Sequence, residues 1–464
     1  MSFSFEESLQ LSHDEQFAKY AQFVNPQFAR VLKTIGFDKQ YVRAEGCYLY
    51  DSKGEKYLDF LAGYGVFNVG RNNAYVKDAL KYALDADFPS MVQMDAPLPA
   101  AVLAERLLEK VGGKTQRVFW CNSGTEAVEG ALKFVRKASG RQRVLYFDHA
   151  FHGLTNGSLS VNGNKEFKRD FGQLLPACVA IPLGDLDALE RELRHDDVAA
   201  LIIEPIQGKG VYAEEPTYYQ DAEKLCRHYG AYLIADEIQT GMGRTGKWFA
   251  HHAYDITPDI VLVAKGLSGG YIPIGAVCYS EEIYNRVFRS MDECVVHSCT
   301  FGRNHLAMIA GLATLDYMEE TKLVENAKLR GEEIKSRILA MKPKYEMLAD
   351  VRGEGLMLAF EFGEPKSMKL KAGWKLVHAV NAGLFGQMVV IPLMRDHHVL
   401  TQVAGHNMDV VKVLPPLCIG EAEVNQFVNA FEQVMQLCHT FPGSIWSVGK
   451  DLAIAAAKSA RMRS

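Results

Sequence analysis

Short apolar runs alternate with longer amphipathic ones through the middle third of the chain. Such runs are typical of strands covered on both faces, and apolar positions recurring every three to four residues are typical of helices. The runs that predict strands are 117–121, 144–148, 199–204, 231–236 and 260–264. Helical patterns lie between them, as at 125–137 and 217–229. The alternation predicts an α/β fold with a doubly wound, mostly parallel sheet.

The two ends of the chain show mixed helical and short-strand patterns, including a hairpin-like segment at 41–58. We predict that the ends fold together as a small domain beside a large one. The predicted divisions are 1–70 and 330–440 for the small domain, 71–329 for the large domain, and 441–464 for a tail. An alanine-rich stretch at 446–463 predicts a packed or fraying terminal helix, with a helix lying on a membrane surface as the alternative.

The composition narrows the class of protein. With 48% apolar and 23% charged residues the chain has the balance of a globular enzyme, and a net charge of -5 gives no general attraction to nucleic acid. The nine cysteines show no CxxC pair, which favours a reducing compartment. The first ten residues lack the pattern of a secretory signal, and no apolar run approaches the roughly 20 residues of a membrane span. We therefore predict a cytoplasmic protein.

Two ionisable residues stand at the ends of predicted strands. Lys265 follows the run IVLVA and Asp236 ends the run AYLIA. Because parallel sheets bind ligands at the carboxyl ends of their strands, both side chains are expected in one site. Burial lowers the pKa of a lysine, as an imine-forming amine requires, and a buried carboxylate can keep a heterocyclic nitrogen protonated. The alternatives are a lysine that reaches solvent and an aspartate that caps or pairs.

Two further segments have the character of cofactor contacts. In 121–134, Ser123 and Glu126 have the spacing of a capping box, and Gly124 permits close approach to the free helix amides, which predicts a phosphate site. In DHAFHG, Phe151 could stack on a planar ring and His152 could support it, although taken singly the segment is more typical of a core phenylalanine beside a hydrogen-bonded histidine. The glycine patterns of NAD and ATP sites are absent, and we predict no metal site.

Taken in order, these segments resemble the class III aminotransferases. The matching motifs are SGTEA at 123–127, FHG at 151–153, EPIQG at 204–208, ADEIQTGMGRTG at 235–246, AKGLSGG at 264–270 and HSCTFGRNHLA at 297–307. The similarity runs from about Tyr57 to about Gly420. It implies the type I fold of pyridoxal-phosphate-dependent transferases and an aminotransferase with pyridoxal phosphate as its cofactor.

The resemblance also implies a role for each matched residue. Lys265 would form the Schiff base and then move the proton as general base and acid. Asp236 would pair with the pyridinium nitrogen, and Gln239 would bond the ring hydroxyl oxygen. Thr300 would reach the phosphate of the other subunit, which implies a homodimer with shared active sites. The cofactor-binding residues predicted in this way are Ser123, Gly124, Thr125, Phe151, His152, Glu204, Asp236, Gln239, Lys265 and Thr300.

Two departures from the family pattern bear on the substrate. Leu154 follows FHG where ornithine and acetylornithine enzymes have a carboxylate-binding arginine. Lys412 precedes LPPL where an arginine usually binds the α-carboxylate of glutamate, and a lysine lacks the bidentate fork of arginine. Tyr64, Val66 and Phe67 add apolar surface near the predicted entrance.

These departures predict a partly apolar substrate without a carboxylate near the reacting carbon, such as an alkyl or fatty aldehyde. Putrescine or another diamine is the next candidate, followed by an ornithine-type substrate. Lys412 could still hold the carboxylate of a glutamate or alanine donor. The alternative functions are an aminomutase of the glutamate-semialdehyde type, a decarboxylating aminotransferase and a catalytically silent cofactor-binding scaffold. A nicotinamide oxidoreductase is the least favoured alternative.

Overall fold

The computed structural model describes Glu6 and residues 10–379, 382–443, 445–446 and 449. Its strands are β1 Tyr41–Glu45, β2 Tyr48–Asp51, β3 Lys56–Asp59, β4 Thr115–Cys121, β5 Arg143–Phe147, β6 Cys178–Ile181, β7 Val198–Ile203, β8 Tyr232–Asp236, β9 Ile260–Val263, β10 Gly275–Ser280, β11 Leu348–Glu354, β12 Met357–Phe362, β13 Val399–Leu400, β14 Gln402–Val403 and β15 Val410–Val413. The terminal helix predicted at 446–463 falls almost wholly outside the described residues.

Helices cover and connect these strands. They are His13–Phe23, Pro26–Ile35, Ala74–Asp85, Leu98–Val111, Gly124–Ser139, Asn156–Ser160, Lys165–Lys168, Leu186–Leu193, Pro216–His228, His251–Tyr254, Glu281–Val287, His305–Glu320, Leu323–Leu339, Met368–His378, Leu384–His397 and Glu421–Cys438. Among the helices in the described part of the chain, none has both the length and the apolar character needed to cross a membrane. The predicted helices at 125–137 and 217–229 are confirmed to within one or two residues.

The central sheet has seven strands in the order β4-β10-β9-β8-β7-β5-β6. From β6 to β9 the neighbours are parallel, which confirms the predicted α/β layout. The apolar runs did not predict β6 or β10. Strand β10 lies antiparallel between β4 and β9, so β4 pairs with no parallel neighbour.

The parallel strands bring three acidic or basic side chains to one edge of the sheet. Strands β7, β8 and β9 are buried along their whole length, because helices cover both faces. Glu204 directly follows β7, Asp236 ends β8, and Lys265 lies two residues beyond β9. Since neighbouring parallel strands end at the same edge, the sequence order alone places these residues side by side.

The flanking segments form two smaller sheets. The hairpin predicted at 41–58 is confirmed as the antiparallel strands β1, β2 and β3, and β13 joins them in parallel, with Val399 opposite Leu58. A second antiparallel sheet has the order β11-β12-β15-β14. A small domain built from both ends of the chain requires contacts between them, and the pairing of β3 with β13 is such a contact. The boundaries of the domains stay a prediction.

Candidate active site

A cavity of about 830 Å³ opens where the parallel strands end. The residues that the sequence predicted and that line it are Tyr64, Val66, Ser123, Gly124, Thr125, Phe151, His152, Leu154, Glu204, Asp236, Gln239, Lys265 and Lys412. Two predicted residues, Phe67 and Thr300, are described but do not line it. The fold thus gathers residues from seven separated segments around one space.

Lys265 stands on a tight turn just beyond β9. Its backbone has a φ of 43°, in the left-handed region, at the start of the 3-10 turn Lys265–Ser268. A non-glycine residue rarely adopts this conformation, which costs on the order of 1 kcal/mol. Burial lowers the pKa of Lys265, while the charges of Asp236 and Glu204 act in the opposite direction. The lowered pKa increases the unprotonated fraction of the amine, which is the nucleophilic form.

Asp236 is held rigidly at the floor of the cavity. Its Oδ2 lies 2.7 Å from Nδ1 of His152, and its Oδ1 accepts a hydrogen bond of 3.1 Å from the backbone N–H of Ile238. Both side chains are buried. Because an ionised carboxylate only accepts hydrogen bonds, Nδ1 of His152 carries the proton that it donates to Asp236. The pair fixes an acceptor oxygen and a negative charge beside Lys265.

Glu204 connects two loops of the cavity wall. Its Oε1 accepts from the backbone N–H of Phe151 at 2.8 Å, and its Oε2 accepts from that of Gly208 at 2.7 Å. Burial raises the pKa of Glu204, and the charge of Asp236 adds to the rise, while His152 opposes it. The backbone hydrogen bonds hold the carboxylate in place and also lower its pKa.

The start of the helix Gly124–Ser139 supplies donors for an anion. Ser123 is its N-cap and accepts from the backbone N–H of Glu126 at 3.3 Å. Only this half of the predicted capping box forms. The carboxylate of Glu126 does not accept from the backbone N–H of Ser123, because it accepts from that of Asn122 at 2.7 Å instead. The backbone N–H groups of Gly124 and Thr125 have no acceptor within the helix, and both residues line the cavity, so these groups can donate to an anion there.

A cluster of hydroxyl groups surrounds Thr125. Its Oγ1 lies 2.8 Å from Oγ1 of Thr155 and 2.6 Å from Oγ of Ser158. Glu129 accepts from Thr155 Oγ1 at 2.5 Å and from the backbone N–H of Gly157 at 2.8 Å. The cluster fixes the hydroxyl of Thr125 at the end of the cavity where the helix amides lie.

Lys412 is buried in the wall on β15. Its Nζ donates to the carbonyl of Gly208 at 2.6 Å and to Oε1 of Gln239 at 3.1 Å. Gln239 in turn donates from Nε2 to the carbonyl of Tyr64 at 3.2 Å. Burial lowers the pKa of Lys412 to about 7, and the positive charges of Lys265 and Lys209 contribute to the shift. An ammonium has three N–H groups, so one remains for a ligand.

Two apolar side chains form the mouth of the cavity. Tyr64 is 58% exposed and Leu154 is 53% exposed. Tyr64 belongs to the left-handed turn Ala62–Gly65. Its two non-glycine residues, Ala62 and Tyr64, have positive φ values of 46° and 64°. Asp59 stabilises this turn, since its Oδ1 accepts from the backbone N–H of Ala62 at 2.7 Å. The strained turn sets where Tyr64 stands, as strained backbone often does at functional sites.

Phe67 and Thr300 lie elsewhere. The ring of Phe67 packs under the guanidinium of Arg71, 3.8 Å from its centroid, and fills the space beside Gly270. Phe67 therefore does not line the cavity, and its role at the entrance stays a prediction. Thr300 is exposed, and its carbonyl accepts from Gln93 Nε2 at 3.4 Å. Its expected partner is a phosphate held by another subunit, so its role stays a prediction.

The cavity wall also contains residues that the sequence reasoning did not single out. They are Asn122, Phe167, Lys209, Ile238, Tyr271 and the segment 402–404. Ile238 could have been found from its place between Asp236 and Gln239. Phe167, Lys209 and the β14 segment carry no local signal, because only the tertiary fold brings them to the cavity.

Comparisons with known proteins agree with this geometry. The family described as aminotransferase class III matches residues 34–435. The chain is 35% identical over 462 residues to the aminotransferase PigE of a Serratia species. The matched region covers 93% of this chain but only 54% of PigE, so the chain spans about half the length of that relative. It is 26% identical to the ornithine aminotransferase of Toxoplasma gondii, with a TM-score of 0.80 over 93% of this chain and 97% of that one. An amine transaminase from an uncultivated Pseudomonas species, solved with pyridoxal phosphate bound, is 29% identical, with a TM-score of 0.74 over 86% of this chain and 95% of that one.

Proposed function

The chain belongs to the class III aminotransferases, which use pyridoxal phosphate, and we propose that it moves an amino group from an amino-acid donor to a partly apolar aldehyde or ketone. The acceptor carries no carboxylate near its reacting carbon. The observation that carries this proposal is Leu154, an aliphatic side chain at the mouth of the cavity, half exposed to whatever enters.

The residues at the cavity floor fit the cofactor. The first-turn amides and the fixed hydroxyl of Thr125 suit a phosphate group. A Cβ atom at Gly124 would lie 2.8 Å from Cδ1 of Ile238, so the glycine leaves room that a larger residue would remove. Asp236 suits a protonated ring nitrogen, and the amine of Lys265 suits an aldehyde. When bound, pyridoxal phosphate supplies an electron sink that makes the hydrogen on the amine-bearing carbon acidic.

Four side chains of this protein would then contact the reacting groups or the cofactor. Nζ of Lys265 would accept the proton from the amine-bearing carbon of the substrate and would then donate it to the cofactor carbon that receives it. The lowered pKa of Lys265 favours the unprotonated amine that the first transfer requires. Asp236, oriented by His152, would keep a proton on the ring nitrogen. Gln239 would donate to the ring hydroxyl oxygen from the amide that now contacts the carbonyl of Tyr64. Phe151 would limit the motion of the ring by stacking.

Lys412 supports an amino acid as the donor. It is a cation in the wall of the cavity with one N–H not used by its two acceptors, Gly208 and Gln239. A single N–H gives weaker carboxylate recognition than the fork of an arginine. The α-carboxylate of the donor would therefore bind through one charged contact, and the apolar acceptor would not need it.

The homodimer is part of this proposal. Thr300 is exposed on a segment that also carries the exposed apolar side chains Val295 and Phe301. Covering such side chains by a second copy would stabilise the dimer, and it would bring Thr300 to the phosphate of the other site.

The decisive experiment follows the visible absorbance of the protein after pyridoxal phosphate has been added. Glutamate, alanine, putrescine, ornithine and dodecylamine are added in separate cuvettes. Unbound cofactor is removed before the measurement. We expect the Schiff-base band to disappear with one of the amino acids and with dodecylamine, and we expect Lys265→Ala to lack this band because it cannot bind the cofactor covalently. The product aldehyde of dodecylamine is then measured as direct evidence of the acceptor class.

Other outcomes separate the competing readings. Reaction with putrescine but not with dodecylamine would favour a diamine enzyme. Reaction with ornithine would contradict the argument from Leu154. Amine formation without release of a free keto product would indicate an aminomutase. A protein that binds the cofactor yet converts no amine would be a silent scaffold.

A further inference from the structure

Lys209 is a second cation in the wall of the active-site cavity. Its Nζ lies 5.4 Å from the centroid of the Phe151 ring and 5.2 Å from that of Phe167. The two rings themselves pack edge to face at 5.6 Å. A cation beside two aromatic rings is stabilised by their faces but loses part of its hydration. The ammonium of Lys209 is thus held at the wall beside the residue expected to stack on the cofactor.

No described carboxylate lies within ion-pair distance of Lys209. Glu204 and Glu166 act on it only through longer-range charge, while burial lowers its pKa. Lys412 lies near enough for the charge of Lys209 to lower its pKa as well. Two amines therefore face one cavity without a carboxylate in contact with either, and Glu204 favours their charged forms only at longer range, so an anionic ligand would stabilise both charges.

A second cavity lies behind Lys209. It has a volume of about 310 Å³ and shares Lys209 and Val403 with the first cavity. Its other polar side chains are Gln387, His406 and Asn407, and the ring of His406 packs edge to face on Phe167 at 5.4 Å. The space between Lys209 and these side chains can take a small polar group, and hydrogen-bond donors surround it.

We infer that Lys209 determines donor specificity by binding the distal carboxylate of a dicarboxylic amino donor such as glutamate. The inference rests on the proposed function, in which Lys412 binds the α-carboxylate. Lys209 then performs the task of the missing arginine from a different part of the wall. Leu154 stays available to the apolar acceptor, so the two substrates use different sides of one cavity.

The test compares glutamate with norvaline, which has the same carbon chain but no distal carboxylate. The readout is the ratio of kcat/KM for glutamate to that for norvaline in the amine-donating half-reaction. Lys209→Met keeps the length and apolar stem but removes the charge, and we expect it to lower this ratio about tenfold or more, as loss of a charged hydrogen bond does. Lys209→Arg keeps the charge and should hold the ratio within about threefold.

Two controls make the result specific. Lys165→Met removes an exposed charge from the same region and should leave the ratio unchanged. A titration with glutarate, which binds without reacting, measures affinity through the cofactor spectrum, and Lys209→Met should weaken it about tenfold.

An unchanged ratio in Lys209→Met, an equal fall in Lys165→Met, or a wild-type protein that uses norvaline but not glutamate would each overturn the inference. A protein that reacts with neither amino acid, nor with any amine, would instead contradict the proposed function.

Discussion

Lys412 should make the use of an amino-acid donor depend on pH close to neutrality. Burial, together with the charges of Lys265, Lys209 and Arg244, lowers its pKa to about 7, while Glu204 acts in the opposite direction. A carboxylate is bound by the protonated form. Because the pKa is lowered, that form is present at acid pH and is lost as the pH rises through about 7.

The size of the effect follows from the titration curve. A group with a pKa of about 7 is about nine-tenths protonated at pH 6 and about one-tenth protonated at pH 8. We therefore expect kcat/KM for alanine to fall about tenfold over this range relative to kcat/KM for an alkylamine, which needs no cation. The ratio is used because both free amines remain largely protonated between these pH values, so their own titration cancels.

The assay is the half-reaction followed by loss of the visible band, with alanine and propylamine as the two donors. Lys412→Arg supplies a cation that stays charged at every pH used, so its ratio should be flat from pH 6 to pH 8. Lys412→Met should give a ratio that is flat and lower than that of the wild type at pH 6. If Lys412→Met kept both the wild-type ratio and its pH dependence, Lys412 would not bind the donor.

Three further predictions test the floor and the mouth of the cavity. Asp236→Asn should retain the cofactor but lose about 100-fold or more in the single-turnover rate at saturating donor, since the ring nitrogen loses its charged partner; a rate within about threefold would contradict that role. Ser158→Ala removes a hydroxyl that contacts Thr125 at 2.6 Å and should weaken cofactor binding about threefold to tenfold, measured by equilibrium dialysis. Leu154→Arg should raise kcat/KM for 4-aminobutyrate at least about tenfold and lower it for dodecylamine; no gain would mean that the carboxylate does not reach this position.

The residues at the strand ends could be predicted because local sequence fixes them. Glu204, Asp236 and Lys265 each follow an apolar run, and parallel pairing places the ends of such runs at one edge. Strand β10 could not be found in the same way. It begins at Gly275, where an added Cβ would lie 2.5 Å from the carbonyl of Ser123, so it requires a glycine where a strand pattern expects a larger residue.

The remaining wall depends on contacts between distant segments. Lys209 reaches the cavity only because the loop after β7 returns past Phe167. Phe67 was expected near the entrance from the family resemblance, but it follows the left-handed turn Ala62–Gly65 and its ring packs against Arg71. Sequence spacing predicts direction only where the backbone is regular, and four successive positive φ values break that regularity.

Substitutions at the floor and at the mouth of the cavity therefore differ in how much they lower the stability of the protein. At the floor, Asp236 is almost wholly buried, and loss of its contact with His152 would leave a polar group without a partner. At the mouth, Tyr64 and Leu154 are more than half exposed, so a change there removes little buried apolar area. Exposed positions on loops tolerate substitution, whereas a rigid floor preserves the positions of reacting groups. We therefore expect that substitutions at Leu154 and Tyr64 change the acceptor while the proposed proton transfer at Lys265 is retained. On this proposal the side chain at position 154 carries more information about the substrate than the motifs that define the family.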